Sequence, residues 1–198
     1  MKEVRIHTGR AVPLTRSDVD TDQIIPSDWL KRVERTGFGA GLFSEWREDP
    51  GFVMNRPEHQ GASILVAGAN FGVGSSREHA VWALTDYGFR AVISPRFGDI
   101  FRNNSTKAGL VTAQLDEAAA EALLGAVEAD PTLDITVDVE RLVVEAPGIS
   151  FSAPFPLDEF TQNRLLEGLD DIGLTLRHEA EITAFEASRS DLLPEVTA

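Results

Sequence analysis

The stretch Ser63–Ser94, SILVAGANFGVGSSREHAVWALTDYGFRAVIS, decides the fold. It opens on a continuous apolar run, Ser63–Gly68, bounded by a glycine-rich turn, which reads as a buried strand. SREHAVWALTDYG follows, with Ala80, Val81, Ala83, Leu84 and Tyr87 as apolar helix positions and Gly88 as the C-terminal stop. Ala91–Ser94 reads as a second short strand. Strand, helix and strand in that order predict a βαβ unit with a right-handed crossover.

Working outward, FGDIFRNNSTKAG predicts a second helix ending at Gly109, and LVTAQL a third strand. Upstream, VRIHTGRAVPL alternates apolar and polar residues and predicts a strand or hairpin. SDVDTDQIIP reads as an Asp-rich turn closed by Pro26. Arg35–Ala62 contains five glycines and two prolines, too broken for a long element. It predicts a mobile loop with one short helix near Leu42–Trp46, and long loops in compact domains are commonly functional. Downstream, EAAAEALLGAVEAD predicts an amphipathic helix, and LDITVDVERLVVEA a hairpin turning about Glu140–Arg141. DEFTQNRLLEGLDDIGLTLRH holds a helix stopping near Gly168 and a short helical turn; EAEITAFEASRS forms a terminal helix. A single domain is expected over residues 1–198, with a frayed tail from about residue 190.

Composition narrows the function. The chain has 198 residues and 42% apolar content, ordinary for a globular domain. No run approaches the ~20 apolar residues of a membrane span, and MKEVRIHTGRAV lacks the apolar core of a secretory signal. A cytoplasmic location is the expectation. With no cysteine, the chain offers no disulfide, thiolate zinc site or cysteine-ligated iron–sulfur cluster. His7, His59, His79 and His178 are scattered without ligand spacing, so no metal is assigned. The net charge of −14 is uneven: residues 1–110 hold 14 Lys/Arg against 13 Asp/Glu, and residues 111–198 hold 4 against 19. The acidic half disfavours nucleic acid and anionic membranes. The near-neutral first half is the better home for a small anionic ligand.

The turn between strand and helix, NFGVGSSREHA, carries the chemistry. Gly72 and Gly74 permit positive φ and close approach of a ligand to the backbone. A helix start supplies unpaired N–H groups and partial positive charge, and so an anion site. Arg77 adds a planar fork suited to a carboxylate, and Ser75 and Ser76 add hydroxyls. The spacing is neither GxGxxG nor a P-loop, and the serines do not lie in GxSxG. Ser75 and Glu78 also match a capping box, S-x-x-E, which a helix needs whether or not it does chemistry. A cap alone requires neither Ser76 nor Arg77.

Together, GVGSSREHA, DVDTDQIIP, RTGFGAGLF and FGDIFRNNSTKAGL resemble the small subunits of 3-isopropylmalate dehydratases. The first block is shared more widely with aconitase and its relatives. The specific motifs run from Ser17 to Leu110 and continue more weakly through LLEGLDDIGLTLRHEAEITAFE.

The resemblance implies an aconitase-type swivelling β/β/α domain, an α/β fold with a mixed sheet flanked by helices. It implies hydro-lyase chemistry, isomerising 2-isopropylmalate and 3-isopropylmalate by dehydration and rehydration in leucine biosynthesis. Activity would require a cysteine-bearing large subunit that holds a [4Fe–4S] cluster, with no cofactor on this chain. Ser75 matches the catalytic base, which needs oxyanion stabilisation because serine is otherwise a poor one. Ser76 and Arg77 match residues that hold a substrate carboxylate. Asp22 matches an aspartate that orients groups at the site; a turn-capping role is its plainer reading. Trp29–Val33 matches a loop that reads the substrate side chain, within a mobile substrate loop at about 29–62; Lys31, Arg32 and Arg35 compete for that task. His79 is expected to be structural. Related dehydratases acting on homoaconitate, citraconate/citramalate or methylthioalkylmalate, or a non-catalytic anion-binding module, remain the alternatives.

Overall fold

A computed structural model describes residues 1–31 and 36–189. Its centre is the unit expected from the sequence: strand β2 (Ile64–Ala67), helix α2 (Glu78–Tyr87) and strand β3 (Ala91–Ser94). Helix α3 (Asp99–Ala108) and strand β4 (Val111–Gln114) continue the winding. Strand β1 (Ile6–Leu14) precedes them, and the short helix α1 (Thr21–Ile24) follows β1. Helix α4 (Glu117–Ala129) leads to strands β5 (Asp134–Asp138), β6 (Val143–Ala146) and β7 (Phe151–Pro154). Helices α5 (Glu159–Glu167), α6 (Asp171–Leu176) and α7 (Glu179–Ala187) end the described chain.

The seven strands form one mixed sheet in the order β4-β3-β2-β1-β5-β6-β7. β1 to β4 are parallel, and β1, β5, β6 and β7 are antiparallel. Long β1 makes this possible by serving both halves. Its first five residues, Ile6–Arg10, pair with β5, and its last four, Ala11–Leu14, pair with β2. Where β5 ends, β1 would expose an open edge. There buried His59 turns its Nδ1 to the Ala11 carbonyl at 3.1 Å, and Pro13 has no N–H to satisfy.

Alternation along the parallel strands divides the core. Leu65, Ala67 and Val92 face one layer with α2 and α3, while Ile64, Val66, Ala91, Ile93, Val111 and Ala113 face the other with α4. The α4 contacts come from Ala120, Leu123 and Val127, the helical spacing read from sequence.

Two expectations need correction, and one strand was not expected. SDVDTDQIIP is not only a turn: Asp20 caps α1, accepting from the Gln23 amide at 2.8 Å while the Gln23 side chain accepts from the Asp20 amide at 3.0 Å. The helix expected near Leu42–Trp46 is replaced by four short 3-10 turns at Phe38–Gly41, Trp46–Glu48, Val53–Asn55 and Pro57–His59. These bury Phe38, Leu42, Phe43, Phe52 and Met54 in the core. The glycines there permit close packing: a Cβ on Gly39 would meet the Tyr87 amide nitrogen at 2.8 Å. Finally, β7 lacked an expectation altogether, because four residues, FSAP, are too short to show alternation.

Candidate active site

Loops from the carboxyl ends of β1, β2 and β3 meet above the sheet, the usual place for ligands in open α/β folds. The Asp18 amide donates to Ala69 O at 2.8 Å, and the Phe71 amide to Arg96 O at 2.9 Å. Single parallel bridges join Asp20 to Val73 and Phe71 to Phe97. Ser94 Oγ, fully buried at the end of β3, donates to Gly68 O at 2.8 Å. The loop after β2 is therefore anchored on both sides before it reaches the two serines.

Gly72 and Gly74 both have positive φ, 73° and 88°. What approaches Gly72 is protein, contrary to the ligand role expected: a Cβ there would lie 2.3 Å from the Phe101 ring. Gly74 has more room, with Asp20 Cβ at 3.4 Å as its nearest neighbour.

The expected Ser75–Glu78 capping box is absent. Helix α2 begins at Glu78 with Arg77 at the N-cap position and no side-chain cap. Ser75 and Ser76 lie just upstream and are exposed. The loop's extended backbone at Arg77 delays the helix, so Ser75 is too far back to cap it. Among the described residues, none of the backbone N–H groups from Gly74 to His79 has a protein acceptor. These six donors lead into the start of α2, the kind of position at which unpaired N–H groups favour an anion.

Arg77 and Asp22, 55 residues apart, are brought together: Arg77 Nη1 donates to Asp22 Oδ1. The arginine side chain is 17% exposed, so most of it is packed against the protein. His79 packs against Phe38 and Trp82 with ring centroids at 5.2 and 4.7 Å. Lys31 ends a 3-10 turn, Ser27–Lys31, and pairs with Asp28 at 2.8 Å on the open surface. The Lys31 hydrogen bond, followed by its charge, lowers the Asp28 pKa, and Asp28 raises that of Lys31 in return. Arg32 and Arg35 lie outside the described residues. Thr21 was missed by sequence reading: it is 2% exposed, and its Oγ1 donates to Ser75 O at 2.8 Å. No local pattern marks a threonine whose partner is 54 residues away.

The fold and loops match known proteins. The sequence model of the aconitase C-terminal domain matches residues 1–118, and that of the C-terminal domain of the 3-isopropylmalate dehydratase small subunit matches residues 171–194. The chain is 68% identical over 194 residues to the 3-isopropylmalate dehydratase small subunit of Parafrankia sp. (strain EAN1pec), covering 98% of each chain. It is 59% identical over 196 residues to that of Rubrobacter xylanophilus, covering 99% of this chain and 100% of the relative. The crystal structure of 3-isopropylmalate dehydratase from Methanocaldococcus jannaschii superposes with a TM-score of 0.67 at 24% identity, covering 90% of this chain and 98% of that one. The chain belongs to the 3-isopropylmalate dehydratase small-subunit family, built on the aconitase C-terminal domain.

Proposed function

We propose that this chain supplies one wall of the active site of a 3-isopropylmalate dehydratase. The reaction interconverts 2-isopropylmalate and 3-isopropylmalate in the cytoplasm, for leucine biosynthesis, by removing and re-adding water. The observation that carries this reading is the exposed Ser75 beside the free amides of Gly74–His79 and the Asp22-held Arg77.

The chain's part in the chemistry follows from those residues. Ser75 alkoxide takes the proton from the substrate carbon, the electron pair forms the double bond, and hydroxide leaves the neighbouring carbon; rehydration reverses this. A serine is a weak base at neutral pH unless its oxyanion is stabilised, and the adjacent free amides supply that field. Arg77 and Ser76 hold a substrate carboxylate, and Asp22 orients the Arg77 fork toward it. Lys31, paired to Asp28, reads the substrate's variable side chain, with Arg32 as its neighbour in that task.

The other wall belongs to a cysteine-bearing large subunit. When bound there, a [4Fe–4S] cluster supplies a Lewis acid for the substrate hydroxyl. This chain does not fit such a group: it has no cysteine, and among the described residues no three His, Asp or Glu side chains are grouped to hold a metal.

The test is co-expression with a cysteine-bearing large subunit, anaerobic reconstitution, and ultraviolet detection of the unsaturated diacid. Isopropylmalate should turn over in preference to homoaconitate, citramalate and methylthioalkylmalate. Ser75→Ala should lower kcat roughly 10²–10⁴-fold while assembly persists. Full activity in that variant sinks the base assignment, and preference for another malate sinks the substrate.

A further inference from the structure

We propose that Thr21 is a positioning residue for Ser75, acting through its hydroxyl on the Ser75 carbonyl. This rests on the reading of Ser75 as the base.

The backbone of the loop after β2 is clamped in sequence. The Gly72 and Val73 amides both donate to Val19 O, at 2.8 and 3.2 Å. The Thr21 amide donates to Val73 O at 3.0 Å, and Thr21 Oγ1 to Ser75 O at 2.8 Å. Beyond that bond, among the described residues, the next backbone hydrogen bond is Ala80 N to Arg77 O, already in the first turn of α2. The Thr21 hydroxyl is thus the last fixed point before the Ser75 side chain.

The hydroxyl is not needed by its own helix. Asp20 and Gln23 already cap α1 reciprocally. Thr21 is 2% exposed, whereas Ser75 is exposed, so a rigid donor reaches out to steady a loop that solvent would otherwise loosen. Asp22, the next residue, holds Arg77. Two consecutive residues of α1 therefore fix two different parts of the site. Thr21 sets where the base sits, and Asp22 sets the carboxylate grip. Misplacement of a reacting group by about 1 Å can cost on the order of 10²-fold in rate.

The experiment uses the reconstituted enzyme with Thr21→Val, which keeps the shape and removes the donor, and Thr21→Ser, which keeps the donor. Thr21→Val should lower kcat roughly 10–100-fold while KM moves less than about threefold, because Arg77 keeps its own anchor. Thr21→Ser should restore most of the rate. In the isolated small subunit, amide order parameters of Ser75 and Ser76 should fall in Thr21→Val alone, a readout independent of turnover. A Thr21→Val enzyme at wild-type kcat overturns the proposal, as does a loss that Thr21→Ser fails to rescue, or loss of assembly in both variants. An active Ser75→Ala enzyme overturns the base reading itself, and the positioning role with it. An inactive Ser75→Ala beside a fully active Thr21→Val rejects the tether alone.

Discussion

Arg77 does two things that a lysine cannot combine. One nitrogen of its guanidinium donates to Asp22, and in the proposed site the rest of the planar fork holds the ligand carboxylate. Arg77→Lys leaves a point charge that must serve one partner at a time. In the reconstituted enzyme we expect KM for isopropylmalate to rise roughly tenfold or more, about 1.4 kcal/mol. An unchanged KM and rate in steady-state kinetics would refute that role. At this scale the residue types were legible from sequence, but their local duties were not. S-x-x-E at Ser75–Glu78 matches a capping box, yet the structural box is Asp20–Gln23 and Ser75 caps nothing. Both pairs have the required spacing; the backbone path alone decides which one closes.

At the level of elements, glycines in this chain mark contact as often as looseness. Gly72 has φ 73°, and its missing side chain is filled by the Phe101 ring of α3. Gly72→Ala therefore meets both backbone strain and a ring that must move, a cost of about 2–4 kcal/mol. We expect a fall in Tm of roughly 5–15 °C for a domain of this size. Gly74→Ala, with only the backbone term, should fall less in the same thermal-unfolding measurement. Equal losses would show that packing on Phe101 contributes nothing. The same logic explains the region 36–62. Its glycine and proline content ruled out long helices and strands, as the structure bears out. It could not reveal that Phe38, Phe43 and Phe52 are core residues, since 3-10 turns give no hydrophobic period to read.

For the whole molecule, the hairpin of β5 and β6 extends the sheet beyond β1, and its turn is pinned by one buried acid. Asp138, 3% exposed, accepts from the Arg141 amide at 2.9 Å and from Arg141 Nε at 2.7 Å. Burial pushes its pKa upward, but the Arg141 hydrogen bonds and charge together hold it below the ordinary carboxylate range. A folded-state pKa below the unfolded one stabilises above about pH 4 and loses that contribution as pH falls through the folded value. Asp138→Asn should therefore be less stable at pH 7, by roughly 1–2 kcal/mol, with the gap to wild type narrowing below about pH 4. Urea unfolding at neutral and acid pH checks this; a gap independent of pH would remove the carboxylate's charge from the account. The sequence by itself determined the βαβ centre, the helices α2 to α5 and the family motifs, because apolar period, glycine stops and short motifs are local properties. Only the tertiary structure decided that Thr21 reaches Ser75 and Asp22 reaches Arg77, across 54 and 55 residues. Those contacts exist because parallel β1 and β2 end side by side, and a sheet neighbour is not written in any window of sequence.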